Sequence, residues 1–227
     1  MASAILDPAP DMARFTDRPN LHPRGFNQNV QLPYGLRVAE VRAAIEDICD
    51  FLHNVNRFLT ERGWDRLEET LMAATFSGVI SEMVVQSTSK QSASLIRNQY
   101  HNGRPDLLPK GMYSNDAALQ SAEGIEVKAS RNVSGWQGHN VESGWIMVFQ
   151  YAVDLETEPV EERQPTKFVR VLIAQLSEGD WGFSGRRETS RRTPTASILR
   201  SGREKLLANP LYLDPTYEPR RQSARRG

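Results

Sequence analysis

Apolar residues recur every three or four positions along residues 36–62, and this is the clearest pattern in the chain. The apolar positions are Val38, Val41, Ile45, Ile48, Leu52, Val55 and Leu59. Such spacing places all of them on one face of an α-helix, and the glycine at position 63 is a common helix end. We therefore predict a helix over residues 36–62. Its apolar face packs on its own domain or, in the alternative, on a second copy of the chain.

Helical spacing continues over residues 65–85, where Glu82 lies near the C-terminal end of the predicted helix. The polar stretch 86–94 ends this pattern, and we expect a short helix to follow as far as Tyr100. The second helix is therefore expected to place one acidic side chain, that of Glu82, close to the segment that follows the helix.

Three stretches rich in β-branched and aromatic residues predict β-strands, at residues 124–130, 145–153 and 168–176. A weaker strand is predicted at residues 181–183, and a last helix at residues 195–208. Helices before the strands and a helix after them indicate an α/β or α+β domain, in which helices pack on a central sheet.

The two ends of the chain differ from the middle in composition. Residues 1–35 hold five of the 13 prolines, which predicts an irregular N-terminal arm, and residues 218–227 form a basic C-terminal tail. Between them we predict one domain over residues 36–217, with its core at about residues 65–208. A chain of 227 residues is long enough to bury such a core.

Composition excludes several classes of protein. The single cysteine, Cys49, excludes a disulfide framework and a thiolate zinc cluster. No apolar run reaches about 18 residues, so we expect no transmembrane helix. The N-terminal residues lack the basic segment of a secretory signal peptide, and we expect a cytoplasmic protein.

The net charge of zero hides an uneven distribution of charge. Residues 1–178 hold 17 basic and 23 acidic side chains, whereas residues 179–227 hold 11 basic and 5 acidic ones. A basic C-terminal segment suits a polyanionic partner, although a solvated arginine-rich tail would have the same composition.

The candidate chemistry lies between the second helix and the first long strand. Asp106 follows a turn, and Glu126, Val127 and Lys128 lie inside a predicted strand. Because side chains alternate along a strand, Glu126 and Lys128 should share one face, with Val127 on the other. The sequence therefore predicts a carboxylate and an ammonium side by side above an apolar core.

These residue types suit metal-assisted hydrolysis of a phosphodiester. Mg²⁺ prefers oxygen ligands, which Asp106, Glu126 and the Val127 carbonyl can supply. Lys128 can orient or deprotonate the attacking water, or stabilise the charge of the transition state. Glu82 can hold a metal-bound water or a second ion. Asp116 remains an alternative to Asp106 as the ligand, and Glu123 is kept as a further acidic alternate.

Pro105-Asp106 followed by Glu126-Val127-Lys128 resembles the signature of the PD-(D/E)XK nuclease superfamily. The resemblance covers roughly residues 65–185 and is greatest to type II restriction endonucleases. It implies a mixed central β-sheet flanked by helices, with a restriction-endonuclease-like core. It also implies Mg²⁺-dependent cleavage of double-stranded DNA, with Mn²⁺ able to substitute, that leaves 5′-phosphate and 3′-hydroxyl ends. Together with the apolar helix face, the class implies a homodimer.

Two polar segments are candidates for contact with DNA. The loop after the catalytic strand offers hydrogen-bonding side chains, and residues 185–193 offer an arginine cluster that suits phosphates and guanine edges. The candidate substrate-binding residues are Ser130, Arg131, Asn132, Gln137, His139, Asn140, Arg186, Arg187, Arg191 and Arg192.

Other functions fit the sequence less well or share the same site. The four histidines show no zinc-hydrolase spacing, and the glycine-rich motifs of nucleotide-binding folds are missing. A repair or recombination nuclease would use the same residues. A non-catalytic nucleic-acid-binding module would keep the basic segment, and Glu126 and Lys128 would then form only a salt bridge.

Overall fold

A computed structural model describes residues 17–138, 141–183 and 195–217 of the chain. The helices are α1 (Val38–Thr60), α2 (Leu67–Thr70), α3 (Ala73–Gln91) and α4 (Arg200–Ala208). The strands are β1 (Leu95–Arg97), β2 (Leu107–Pro109), β3 (Ile125–Ser130), β4 (Gln137–Gly138), β5 (Gly144–Ala152), β6 (Lys167–Leu176), β7 (Trp181–Phe183), β8 (Ala196–Ile198) and β9 (Pro210–Leu213).

Six strands form one mixed sheet in the order β1-β2-β3-β5-β6-β9, in which only β3 and β5 run parallel. A smaller sheet has the order β4-β8-β7. Helices α1 and α3 cover one face of the large sheet, and α4 with the small sheet covers the other. The predicted fold class, a mixed central sheet flanked by helices, is confirmed.

Strand β5 shows why this sheet is buried on both faces. Met147 and Phe149 enter the core beneath α1 and α3, whereas Ile146 and Val148 enter the core beneath the small sheet. A strand that is covered on both sides reads as a continuous apolar run, and that run is what made β5 and β6 predictable.

Helix α1 matches its predicted position and buries its apolar face inside the domain. Val41, Ile45, Ile48 and Leu52 are at most 2% exposed and pack in the same core as α3. The interpretation that the helix packs on its own domain is therefore confirmed for this stretch, and these residues are not available as a seam for a second copy.

The predicted limits of the second helix, residues 65–85, are wrong. Leu71 and Met72 adopt extended backbone angles, which separate α2 from α3. Helix α3 then continues to Gln91 through the polar stretch that was expected to end it. It does so because Ser87 and Gln91 donate hydrogen bonds to Asp47 of α1, each at 2.7 Å.

Three short elements near the ends of the sheet differ from the predictions. Residues 95–97 form strand β1, which pairs with β2, instead of a short helix. The predicted helix 195–208 is strand β8 followed by α4, and β9 was not predicted. Each strand has only three or four residues, which is too short for apolar spacing to distinguish it from a helical turn.

The N-terminal segment 17–35 contains only two short 3-10 turns, yet it packs on the domain. Leu21, Phe26 and Val30 are buried in the core beside α1, and Phe26 forms a bridge with Tyr212 of β9. The rest of the predicted arm, residues 1–16, and the predicted tail, residues 218–227, lie outside the described residues. No helix in the described ranges is long and apolar enough to cross a membrane.

Candidate active site

The site forms where β2 and β3 separate. The two strands pair at Leu107 opposite Ile125, and further along β3 the backbone N–H of Val127 donates to Oδ2 of Asp106 at 2.8 Å. The Asp106 carboxylate thus lies in the wedge between the strands. The N–H and C=O of one strand residue point to the same side, so the Val127 carbonyl faces this wedge as well.

Gly124 allows the two strands to approach closely just before they separate. Its φ of +130° lies in a region that side-chain-bearing residues rarely adopt, and a Cβ there would lie 2.3 Å from the carbonyl oxygen of Leu107. A glycine immediately before β3 is therefore a requirement of the wedge that holds Asp106.

Glu126 and Lys128 project from the same face of β3, as strand periodicity predicts. Lys128 Nζ donates to Oε1 of Glu126 at 2.5 Å, and both side chains are largely buried. Ile125 and Val127 point to the opposite face, into the core beneath α1 and α3. The expected carboxylate–ammonium pair above an apolar core is present.

A third carboxylate, Glu142, joins the site from the loop that leads into β5. Because β5 runs parallel to β3, with Trp145 opposite Ile125, residues just before β5 lie near the start of β3. Lys128 Nζ donates to Oε1 of Glu142 at 3.2 Å, and Arg104 Nη1 lies 3.8 Å from the same oxygen. Sequence reasoning missed Glu142 and Arg104, because no local pattern marks residues that only the pairing of distant strands brings together.

The low solvent access of the site changes the ionisation of its groups. Burial raises the pKa of Asp106 to about 7, and the charge of Glu126 contributes to the rise. Burial also raises the pKa of Glu142. Burial by itself would lower the pKa of Lys128, but Glu126 and Glu142 outweigh it and raise that pKa. Lys128 is therefore held as a cation.

The residues at the wedge fit a hard divalent cation. In the described part of the chain, Oδ1 of Asp106 and Oε2 of Glu126 accept no hydrogen bond. The Val127 carbonyl has only a long contact of 3.5 Å, from Ser81 Oγ. Three oxygens from two carboxylates and one carbonyl suit Mg²⁺, which keeps several of its waters. The described ranges hold no ready-made group of three or more carboxylate, histidine or cysteine ligands.

The three remaining acidic candidates lie elsewhere, and one of them, Glu123, accepts a hydrogen bond from the Tyr34 hydroxyl at 3.0 Å. Glu82 is on α3, where its side chain is 68% exposed and paired with Arg97 at 2.7 Å. It lines the same cavity as Asp106, of about 550 Å³, without contacting it through a hydrogen bond. Asp116 accepts from the backbone N–H of Gly111 at 2.8 Å and stabilises a turn. Asp106, rather than Asp116, therefore lies at the wedge.

The predicted DNA-contacting residues are only partly described. Ser130 ends β3 on the same face as Lys128, and its hydroxyl accepts from the backbone N–H of Asn132. Arg131 is partly exposed, and Gln137 is exposed on β4. The other candidates lie outside the described residues; they are His139, Asn140, Arg186, Arg187, Arg191 and Arg192.

A larger cavity adjoins the site on the side of Glu126 and Glu142. It has a volume of about 620 Å³, and Arg104, Gln120 and Trp145 also line it. Asp106 and Glu126 thus each line a cavity.

Comparison with known proteins finds no matching family model, no similar curated protein and no similar solved structure.

Proposed function

We propose that this chain is a Mg²⁺-dependent endodeoxyribonuclease of the PD-(D/E)XK type. It would hydrolyse phosphodiester bonds of double-stranded DNA and leave 5′-phosphate and 3′-hydroxyl ends. The observation that carries the proposal is the wedge between β2 and β3. There Asp106 binds the backbone of Val127, while Glu126 and Lys128 share the adjoining strand face.

The cofactor would be held by Asp106, Glu126 and the Val127 carbonyl. When bound, Mg²⁺ neutralises phosphate charge and lowers the pKa of a coordinated water, and Mn²⁺ is expected to substitute because it accepts the same oxygen ligands. The chain's own contribution is to fix these oxygens in a wedge with little solvent. There a charge interaction is stronger than in water.

Lys128 is best suited to an electrostatic role. Two carboxylates raise its pKa, so the ammonium keeps its proton and is a poor base toward water. A fixed cation beside the wedge can instead orient the attacking water and stabilise the added charge on the phosphate. Of the roles that the sequence allowed for Lys128, this one is favoured.

More specifically, we propose that the cleavage is site-specific, as in type II restriction endonucleases. A symmetric homodimer with two wedges would cut both strands of a palindromic site, and the enzyme would act in the cytoplasm. The dimer now rests on the class of enzyme alone, because the apolar residues of α1 are buried within one chain. Glu82 would act at the edge of the site, since it shares a cavity with Asp106.

A second candidate function is a non-catalytic nucleic-acid-binding module. The short Lys128–Glu126 ion pair favours it, because that pair satisfies both charges without any ligand. A repair or recombination nuclease would use the same wedge and would differ in the shape of its substrate.

The test is incubation of purified protein with long duplex DNA of mixed sequence, in Mg²⁺ and in EDTA. Lys128→Ala is the inactive variant, and Lys90→Ala is the matched control, because Lys90 is exposed and pairs with Asp47 on the surface. We expect discrete fragments only in Mg²⁺, from wild type and Lys90→Ala.

Each other outcome has a defined meaning. A smear of fragments would support the proposed active site, but it would indicate a repair or degradative nuclease instead of a site-specific one. If modified and unmodified genomic DNA both stay intact in Mg²⁺ and Mn²⁺, the nuclease proposal is wrong and the binding module is favoured.

A further inference from the structure

Lys128 is held between two carboxylates, although the resemblance requires only one. Its Nζ donates to Glu126 at 2.5 Å and to Oε1 of Glu142 at 3.2 Å, and Oε2 of Glu142 lies 3.1 Å away. The Glu142 side chain is only 9% exposed, and its Oε2 is buried without a hydrogen bond. Burying such a carboxylate is unfavourable, so its position needs an explanation.

Glu126 has two competing tasks in the proposed reaction. Its Oε2 is free to bind the metal ion while its Oε1 accepts from Lys128, so the metal ion and the ammonium would share one carboxylate. If Glu126 were the only partner of Lys128, the ammonium would either compete with the metal ion or lose its counter-charge. A second carboxylate removes this conflict, because Lys128 keeps a full anionic partner in Glu142 when Glu126 binds the metal ion.

The fold fixes Glu142 independently of β3. The indole Nε1 of Trp181, in the small sheet, donates to the Glu142 backbone carbonyl at 2.8 Å. Arg104, which precedes β2, lies 3.8 Å from Oε1 on the other side. Glu142 is thus held by elements that are separate from the strand whose lysine it contacts.

We propose that Glu142 is the positioning residue for Lys128: it retains the ammonium at the site while Glu126 binds the metal ion. This inference rests on the proposed nuclease function and adds to it a residue outside the Asp106, Glu126 and Lys128 signature. Glu142 acts through Lys128 and is not itself assigned as a metal ligand.

The test compares Glu142→Gln with Glu61→Gln, which removes the same charge from an exposed ion pair with Arg57 at the end of α1. Single-turnover cleavage at saturating Mg²⁺ should fall about 10- to 100-fold in Glu142→Gln. The dissociation constant for Mn²⁺, measured by calorimetry without DNA, should rise about ten-fold. Affinity for duplex DNA at saturating Ca²⁺ should change less than about two-fold. Glu61→Gln should match wild type in all three.

The outcomes separate the inference from the function on which it rests. If wild type binds Mn²⁺ and cleaves DNA, and Glu142→Gln does so equally well, the inference is wrong and the function stands. A parallel loss of melting temperature, DNA affinity and rate would show a merely structural role and would also overturn it. If wild type neither binds Mn²⁺ nor cleaves DNA, the proposed function and the role of Glu142 are both wrong.

If Glu142→Gln does not fold, Glu142→Asp answers the same question. It keeps the charge but withdraws the carboxylate by one methylene, so it should still slow cleavage and weaken Mn²⁺ binding. Wild-type behaviour of Glu142→Asp would then refute the positioning role.

Discussion

Asp106→Asn should stabilise the metal-free protein while it abolishes cleavage. The Asp106 carboxylate lies partly buried beside Glu126, and burial with that charge raises its pKa from the ordinary value of 3.8 to about 7. Asparagine is uncharged and close in shape, and its amide oxygen can still accept from the N–H of Val127. The substitution therefore removes an unfavourable charge and keeps the hydrogen bond.

The sign and size of the effect follow from proton linkage. Between pH 4 and pH 7 the unfolded chain ionises Asp106 while the folded protein keeps it protonated, so the free energy of unfolding falls as pH rises. A rise from 3.8 to about 7 corresponds to about 4 kcal/mol at most. Water near the carboxylate and movement of Glu126 reduce this, and we expect about 2 kcal/mol at pH 8.

The assay is thermal unfolding in EDTA at pH 5, 6, 7 and 8. A gain of about 2 kcal/mol should raise the melting temperature of a chain of this size by about 4–8 °C at pH 8. The gain should shrink steadily toward pH 5. Asp65→Asn is the control, because Asp65 is exposed and the chemical change is the same. Addition of Mg²⁺ should raise the melting temperature of wild type and leave Asp106→Asn unchanged.

Two results would refute this reasoning. One is a melting temperature of Asp106→Asn at pH 8 that equals or falls below that of wild type. The other is a gain that does not depend on pH, because such a gain would come from packing and not from the charge of Asp106.

Two further predictions concern the edges of the site. Gly124→Ala should destabilise the fold by about 2–4 kcal/mol in chemical denaturation and abolish cleavage, because its Cβ would meet the Leu107 carbonyl at 2.3 Å. Gly63 also has a positive φ but has open space around it, so Gly63→Ala should lower the free energy of unfolding by only about 1 kcal/mol. If the two substitutions destabilise the fold equally, backbone strain alone explains the effect of Gly124→Ala. Glu82→Gln should slow single-turnover cleavage by less than about ten-fold, because Glu82 is exposed and screened by solvent. A loss as large as that of Glu126→Gln would place Glu82 among the metal ligands.

Local patterns determined the parts of the fold whose residues repeat with a regular period. The apolar spacing of α1 and the continuous apolar runs of β5 and β6 needed no knowledge of distant contacts. The same holds for Glu126 and Lys128, because two residues separated by one position on a strand share a face in any fold. These features were predictable because their geometry is set within a few residues.

Tertiary structure alone decided the features that depend on contacts between distant segments. Helix α3 continues through a polar stretch because Ser87 and Gln91 bond to Asp47 of another helix. Strands β1 and β9 are defined by their pairing with β2 and β6. Their three or four residues show too little periodicity to identify a strand from the sequence.

The candidate site divides in the same way. Its carboxylate–ammonium pair follows from the alternation of side chains along β3, which can be read from the residues of that strand. The separation of β2 from β3 placed Asp106, and not Asp116, against Val127, and the parallel course of β5 brought Glu142 to Lys128. Both depend on how strands pair across the sheet. The energy of that pairing comes from the whole core, so no local segment of the sequence encodes it.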